Sequence, residues 1–205
     1  PALKAAFPHT LPSLAGFVAL GMGYGIYHRS AGLPIWFAPL TSILVFGGSL
    51  EFLLVSMLLA PFQPLIVFFL SLLVQARHLF YGLSMLDKYR GKGIIGAYLI
   101  YSMCDETFSV NCSAEPPEGV DETLFMFFVS FLDQSYWIIS VTLGSLPGGT
   151  LSNYSRGVEF VMTAMFTVIF LKEMEKKSSR IPGLIGILAT ALSLVVFGKS
   201  VFLIP

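Results

Sequence analysis

Long apolar stretches alternate with short polar connections along this chain, and the pattern predicts helices that cross a membrane. Each stretch is close to the roughly 20 residues that a helix needs to span a bilayer. Backbone groups in lipid must be satisfied internally, and runs this long are not typical of membrane β-strands. We therefore expect an all-α integral membrane protein with one transmembrane domain, residues 1–205, and seven apolar segments: 8–27, 35–60, 62–86, 93–112, 122–146, 156–171 and 182–204.

Composition strengthens the membrane assignment and excludes several functions. Of the 205 residues 55% are hydrophobic and 12% are charged, whereas soluble proteins average about 25% charged residues. The formal net charge of zero argues against nucleic acid as a partner. The connections leave no room for a soluble catalytic domain, and Cys104 and Cys112 form neither a disulfide framework nor a zinc site. We expect no enzymatic activity, no cofactor and no bound metal.

Segments two and six are interrupted by glycines and resemble each other. GGSLEFLLVSM (47–57) and SRGVEFVMTAM (155–165) share a Glu-Phe pair and a Met at the same spacing, and each follows a Leu-Pro pair. Weak internal symmetry of this kind is common in transporters. It predicts repeat units 8–86 and 122–204 joined by a linking helix, 93–112.

The distribution of charge predicts how these units are oriented. The loops at 88–92 and 172–180 are basic, whereas the connection at 113–122 is acidic. If segments four, five and six all crossed, the basic loops would lie on opposite sides, against the positive-inside rule. Re-entrant segments two and six resolve the conflict. The result is an inverted repeat with the acidic connection outside.

Ionisable residues inside the apolar segments mark a candidate site, because a charge at mid-membrane costs about 2.5–3.5 kcal/mol on insertion scales. The stretch LLVQARHLFYGLSM (72–85) carries Arg77 and His78. Arg77 either extends to the inner surface or pairs with an acidic residue, for which Asp105 and Glu51 are the candidates. Asp133 adds a polar patch on segment five that fits a gate, a packing contact or an aromatic anchor equally well.

Segment four carries a polar stripe on an otherwise apolar helix. Its spacing of i, i+3, i+4, i+7 and i+11 predicts a single face. Hydrogen-bonded helix packing is the alternative to a functional role. The stripe consists of Tyr98, Tyr101, Ser102, Asp105 and Ser109.

The glycines of segment two predict a helix restart with free backbone N–H groups, which favours a carboxylate, although glycines also permit close helix packing. The candidate substrate-binding residues are Gly47, Gly48, Ser49, Glu51, Tyr101 and Asp105. The candidate coupling or ion-pair residues are Arg77, His78, Glu51, Asp105 and Asp133.

Four motifs, in this order, resemble the AzlC family of YgaZ- and BrnF-like proteins. They are GGSLEF (47–52), QARHLFYGLSM (75–85), CDETF (104–108) and GVEFVMTAMF (157–166). The resemblance implies the large subunit of a branched-chain amino-acid exporter in the inner membrane of a bacterium. It also implies a small membrane subunit of the AzlD type as partner. The chain departs from the family pattern at Glu51, where glutamine is expected, and at Cys104, where threonine is expected.

We therefore expect a secondary-active exporter of valine-like neutral amino acids, coupled to the proton gradient. The expected roles are substrate carboxylate at Gly48 and Ser49, ammonium or proton at Asp105, and coupling at Glu51. Three alternatives remain: a membrane scaffold that assembles a partner, a passive channel for small solutes, and an intramembrane enzyme. The last lacks a nucleophile motif such as G-x-S-x-G.

Overall fold

The computed structural model describes residues 1–147, 167, 171, 174 and 180–197. The chain divides into two compact units, Pro1–Val158 and Glu159–Pro205. Within the described ranges the helices are α1 (Ala2–Ser30), α2 (Phe37–Leu44), α3 (Gly48–Leu59), α4 (Pro64–Val74), α5 (Arg77–Tyr89), α6 (Gly93–Tyr101), α7 (Asp105–Ser113), α8 (Glu122–Ser145) and, in the second unit, α9 (Arg180–Phe197).

Fewer helices qualify as simple spans than the seven apolar segments suggested. Among the described residues, α1 and α8 are long and apolar enough to cross a membrane, and α4 with α5 makes a third span if the bent pair counts as one. Segments two, three and four are each divided into two helices. Segment seven corresponds to α9 as far as residue 197, and segment six lies almost wholly outside the described residues.

Helices α1 and α8 form the frame of the first unit and run parallel to each other. Small residues allow the backbones to approach closely: a Cβ on Gly144 would lie against the backbone of Met22. The contacts advance in the same direction along both helices, through the pairs His9–Phe125, Phe17–Trp137, Gly21–Ser140 and Gly25–Ser145.

This parallel arrangement shows that the predicted inverted repeat is wrong. Inverted units 8–86 and 122–204 require segments one and five to cross in opposite directions, but α1 and α8 cross in the same direction. The prediction depends on the shared Glu-Phe pair and Met of residues 47–57 and 155–165, which is a short match between two apolar sequences. Its second half, 155–165, lies outside the described residues.

Helices α2 and α3 form a re-entrant hairpin, the arrangement expected for segment two. Both return to the C-terminal end of α1, where Tyr24 bonds Thr41 of α2 at 2.9 Å and Tyr27 bonds Ser56 of α3 at 3.4 Å. The longer helix, α3, has 12 residues and reaches only about 18 Å at 1.5 Å per residue. The hydrocarbon core is about 30 Å thick. The turn contains Phe46 at φ +41°.

Helices α6 and α7 form a second hairpin, so the predicted continuous linking helix 93–112 is wrong. The end of α7 returns to the start of α6: Asn111 donates a hydrogen bond to the Tyr89 hydroxyl at 3.0 Å. The helix breaks because Cys104 is extended, with φ −128° and ψ −178°. Thr107 accepts the Cys104 N–H at 2.8 Å and starts a new helix.

Segment three crosses between the two hairpins as a broken span. Helices α4 and α5 are bent by 58° at Gln75 and Ala76. The chain of the first unit therefore runs as span, hairpin, broken span, hairpin and span. The hairpins enter from opposite faces.

The predicted position of the acidic connection is also wrong, because it shares a face with the basic loop at 88–92. Lys88 Nζ lies 2.9 Å from the Asn111 carbonyl oxygen, and Lys92 donates to Thr123 at 2.7 Å. Re-entry of segment four is the reason. With four re-entrant, the positive-inside rule is met if segment six crosses, so the charge argument for a re-entrant segment six no longer holds.

Cysteine labelling tests this topology. In a background without Cys104 and Cys112, we expect Lys92→Cys and Glu118→Cys to react with a membrane-impermeant maleimide from one face, and Gln63→Cys from the other. Labelling of positions 92 and 118 from opposite faces would contradict the second hairpin.

Thermal unfolding tests the contact between α1 and α8. Gly144→Ala forces a Cβ against Met22, and overpacking costs typically about 1–3 kcal/mol. We expect a lower melting temperature for the detergent-purified protein. Gly16→Ala in α1 is the matched control: nothing lies within 4 Å of the added Cβ, and helix propensity predicts a gain of up to about 1 kcal/mol. Equal melting temperatures for the two variants would argue against the contact.

Candidate functional site

The breaks of the two hairpins and of the central span meet at one point. Gly47, in the first break, lies against the amide of Gln75 in the broken span. From the second hairpin, the Tyr101 hydroxyl donates to the carbonyl oxygen of Ile43, in the last turn of α2. Trp137, near the middle of α8, contacts Gly48 in the first break and Phe17 near the middle of α1. The junction therefore lies near mid-depth of the first unit.

An ion pair occupies this junction. Arg77 Nη1 lies 2.6 Å from Asp105 Oδ2, so of the two acidic candidates the structure pairs Arg77 with Asp105. Arg77 Nη2 donates to Ser49 at 3.5 Å, and the Tyr81 hydroxyl donates to Asp105 Oδ1 at 3.0 Å. The Tyr81 ring stacks on Phe108 at 4.3 Å, which orients the hydroxyl.

Pairing and partial exposure suit this centre to exchange of partners. Each charge offsets the cost of holding the other in an apolar region. The side chains of Arg77 and Asp105 remain 38% and 40% exposed, so a polar ligand can reach both.

Three helices begin at this centre. Arg77 is the first residue of α5, Asp105 is the first of α7, and Ser49 is the second of α3. The N-terminus of a helix carries a partial positive charge and backbone N–H groups without intrahelical partners. The acidic Asp105 suits its position at a helix start, and the start of α3 suits a ligand anion.

Glu51 was predicted to face substrate, but the structure gives it a different environment. It is fully buried, and its carboxylate accepts bonds from Ser42 at 2.8 Å, the Gly47 N–H at 3.2 Å and Trp137 at 2.9 Å. These donors come from α2, the hairpin turn and α8. Glu51 thus ties the first hairpin together and to the frame.

Tyr101 connects the second hairpin to the frame. Tyr98 donates to Gln134 of α8 at 2.7 Å, and Gln134 donates to the Tyr101 hydroxyl at 3.3 Å. The prediction of one polar stripe on a continuous helix is therefore wrong. The break after Tyr101 separates these tyrosines from Asp105, which joins Arg77 instead.

The two remaining predicted residues lie outside the ion pair. His78 is half-buried and meets the Tyr81 ring edge-on at 5.6 Å. Asp133 is fully buried on α8. Within the described part of the chain, no group of three or more acidic, histidine or cysteine side chains is arranged to hold a metal. Ser42 was missed, because a serine within an apolar helix gives no distinct sequence signal.

An apolar cavity of about 360 Å³ opens beside the junction and includes Gln75, His78 and Tyr101 at its edge. This volume is at the small end of the ligand-binding range. A larger groove of about 910 Å³ continues from it along α5. The smaller cavity is lined by Val45, Phe46, Leu72, Leu79, Gly82, Ile100 and Met103 in addition to the three polar residues.

Comparison with known proteins identifies relatives described as membrane or transport proteins. The family model described as AzlC protein matches residues 12–151. The branched-chain amino acid transport protein AzlC of Bacillus subtilis is 44% identical over the whole chain and 80% of its own length. A membrane protein of Haemophilus influenzae is 42% identical over the whole chain and 84% of its length.

A more distant relative extends the comparison. The inner membrane protein YgaZ of Escherichia coli is 23% identical, covering 96% of this chain and 80% of its own length. No solved structure matches the chain. The extent of the family-model match and the two relatives above 40% identity show that this chain belongs to the AzlC family.

Proposed function

We propose that this protein is a secondary-active exporter of branched-chain and other small neutral amino acids. The observation that carries the proposal is the partly exposed Arg77–Asp105 pair at the junction of three helix breaks. The name of the Bacillus subtilis relative, a branched-chain amino acid transport protein, supports the same substrate class. Export, as opposed to uptake, rests on the family resemblance of the motifs.

The two charges complement a zwitterion. In the proposed complex the substrate carboxylate lies between Arg77 and the start of α3 at Ser49, and the ammonium group lies against Asp105 and Tyr81. The Arg77 Nε has no acceptor among the described residues, so a carboxylate would satisfy a donor that is otherwise unused. A substrate with both charges replaces the internal pair without leaving either group alone.

The small apolar cavity supports an aliphatic side chain on the substrate. Seven of its ten lining residues are apolar, and five of these are leucine, isoleucine, valine or methionine. Such a lining can bind a branched hydrocarbon but offers few partners to a charged side chain. A hydrophobic pocket discriminates weakly between substrates that differ by one methylene, by about 10–200-fold. We therefore expect valine, leucine and isoleucine to share the site.

The proposal includes a partner, an energy source and a location. The partner is a small membrane subunit of the AzlD type, the energy source is the proton gradient, and the location is the inner membrane of a bacterium. The partner and the location follow from the family resemblance. Buried carboxyl groups at mid-depth in the first unit are consistent with proton coupling.

Removing either charge tests the proposed binding centre. We expect Arg77→Ala and Asp105→Asn each to reduce valine transport by about tenfold or more, since hydrogen bonds to charged groups contribute about 1.5–3 kcal/mol. Arg77→Lys should be intermediate, because it keeps the charge and loses the planar fork. Transport is measured in cells at matched membrane expression. The control, Lys4→Ala, removes an exposed charge far from the centre. Wild-type rates in both charge-removing variants would refute the assignment.

Counterflow of labelled valine in proteoliposomes distinguishes the functions that remain. A carrier accumulates label against excess internal valine and responds to a pH gradient, whereas a channel gives flux without counterflow. We expect counterflow with the small subunit present and competition by leucine and isoleucine. A scaffold would give no flux while Arg77→Ala still assembled with the partner. That result would replace the proposal.

A further inference from the structure

We propose that Asp133 is a proton-binding site separate from the substrate centre, and that it carries the ion coupled to transport. The inference rests on the proposed transport function and assigns one step of it to one residue. The substrate centre uses Arg77 and Asp105, and Glu51 is committed to its three donors. Among the described residues, Asp133 is the buried carboxyl group that these contacts do not use.

The carboxyl group of Asp133 is enclosed but unsatisfied. It is fully buried, and neither oxygen accepts a hydrogen bond from the described residues. The Ser13 hydroxyl of α1 lies beside it without completing such a bond. One turn earlier on α8, the Ser130 hydroxyl is also buried and unpartnered. Buried polar groups are almost always paired, so these two groups lack, among the described residues, the partners that such groups usually have.

The surrounding charges favour a cation as that partner. Glu106 of α7 and the thiol of Cys104, the residue before α7, interact electrostatically with Asp133. Ser13 faces it from α1, and Tyr98 of α6 bonds the adjacent Gln134. The ion pairs of the described residues, Arg77–Asp105 and Lys88–Glu122, do not include Asp133. Among the described residues no cationic side chain pairs with this carboxylate, which lies beside a second acidic group. A bound proton would neutralise it.

A proton fits this site better than a metal ion. Metal binding needs several ligands held around one point, and the described residues contain no such group of acidic, histidine or cysteine side chains. A proton needs one oxygen: an O–H bond forms on Asp133 with a proton from one aqueous phase, and it breaks when the proton leaves to the other. Because the carboxyl group is sealed here, each exchange requires α8 to separate from α1 or α7.

The position of Asp133 on α8 connects it to both hairpins. The next residue, Gln134, bonds Tyr98 and Tyr101 of the second hairpin, and Trp137, one turn further, bonds Glu51 of the first. A movement of α8 that opens the proton site therefore also acts on the contacts that hold the substrate centre together. Movement of α8 would in this way couple proton exchange at Asp133 to rearrangement of the substrate centre.

The experiment compares Asp133→Asn with wild type in proteoliposomes that contain the small subunit. Three conditions are used: valine exchange without a gradient, accumulation driven by a pH gradient, and accumulation driven by a sodium gradient. We expect Asp133→Asn to keep exchange and to lose pH-driven accumulation and valine-dependent proton movement, read with an internal pH dye. Asp133→Glu should restore pH-driven accumulation in part. Glu118→Gln, on the exposed connection, is the matched carboxyl control.

The outcomes separate this inference from the proposed function. If wild type exchanges no valine, the proposed function fails; infrared spectroscopy of the purified protein still tests Asp133, by a protonated-carboxyl band that disappears in Asp133→Asn. Absence of that loss, retained pH-driven accumulation in Asp133→Asn, or accumulation driven by sodium alone would each overturn the inference. If Asp133→Asn does not fold, Ser13→Ala keeps the carboxyl group. It should shift the pH profile of exchange, and an unchanged profile would count against a proton at Asp133.

Discussion

Three helix breaks near the middle of an apolar environment leave backbone groups that lipid cannot satisfy, and this constraint determines much of the first unit. Glu51 accepts the N–H of Gly47 at the first break. Thr107 accepts the N–H of Cys104 at the second. Tyr101 donates to the carbonyl oxygen of Ile43, so that one hairpin satisfies the backbone of the other. The polar residues that first suggested a transport site therefore include several whose contacts are structural.

The constraint separates two roles among the buried acidic residues. Glu51 has three donors and bridges α2, α3 and α8. Its substitution should therefore lower the stability of the fold more than it lowers substrate affinity. Asp105 is half-exposed and shares its oxygens between Arg77 and Tyr81. A carboxylate held by groups that can also bind a ligand suits recognition, whereas one held by a buried indole and a backbone N–H does not.

The sequence was sufficient for the membrane class, for the division of the second segment and for an acidic partner of Arg77, with Asp105 as one of two candidates. Apolar length and the cost of buried charge are local properties and can be read directly. The second hairpin could not be predicted in this way, because its break depends on Cys104 being extended and on Thr107 capping the new helix. Neither residue interrupts the apolar pattern. The apolar length of segment four predicts a crossing, and with such a crossing the positive-inside rule places the acidic connection on the wrong face and requires an inverted repeat.

The bond between Trp137 and Glu51 joins residues 86 positions apart in the chain, and it has a consequence for biogenesis. The first hairpin leaves the ribosome well before α8 has been synthesised, so Glu51 lacks its indole donor during that interval. Contacts between distant residues form late and leave polar groups transiently exposed. The first hairpin can supply only two of the three donors to Glu51 until the fifth apolar segment is made, so we expect truncations that end before α8 to be less stable in the membrane than the full chain.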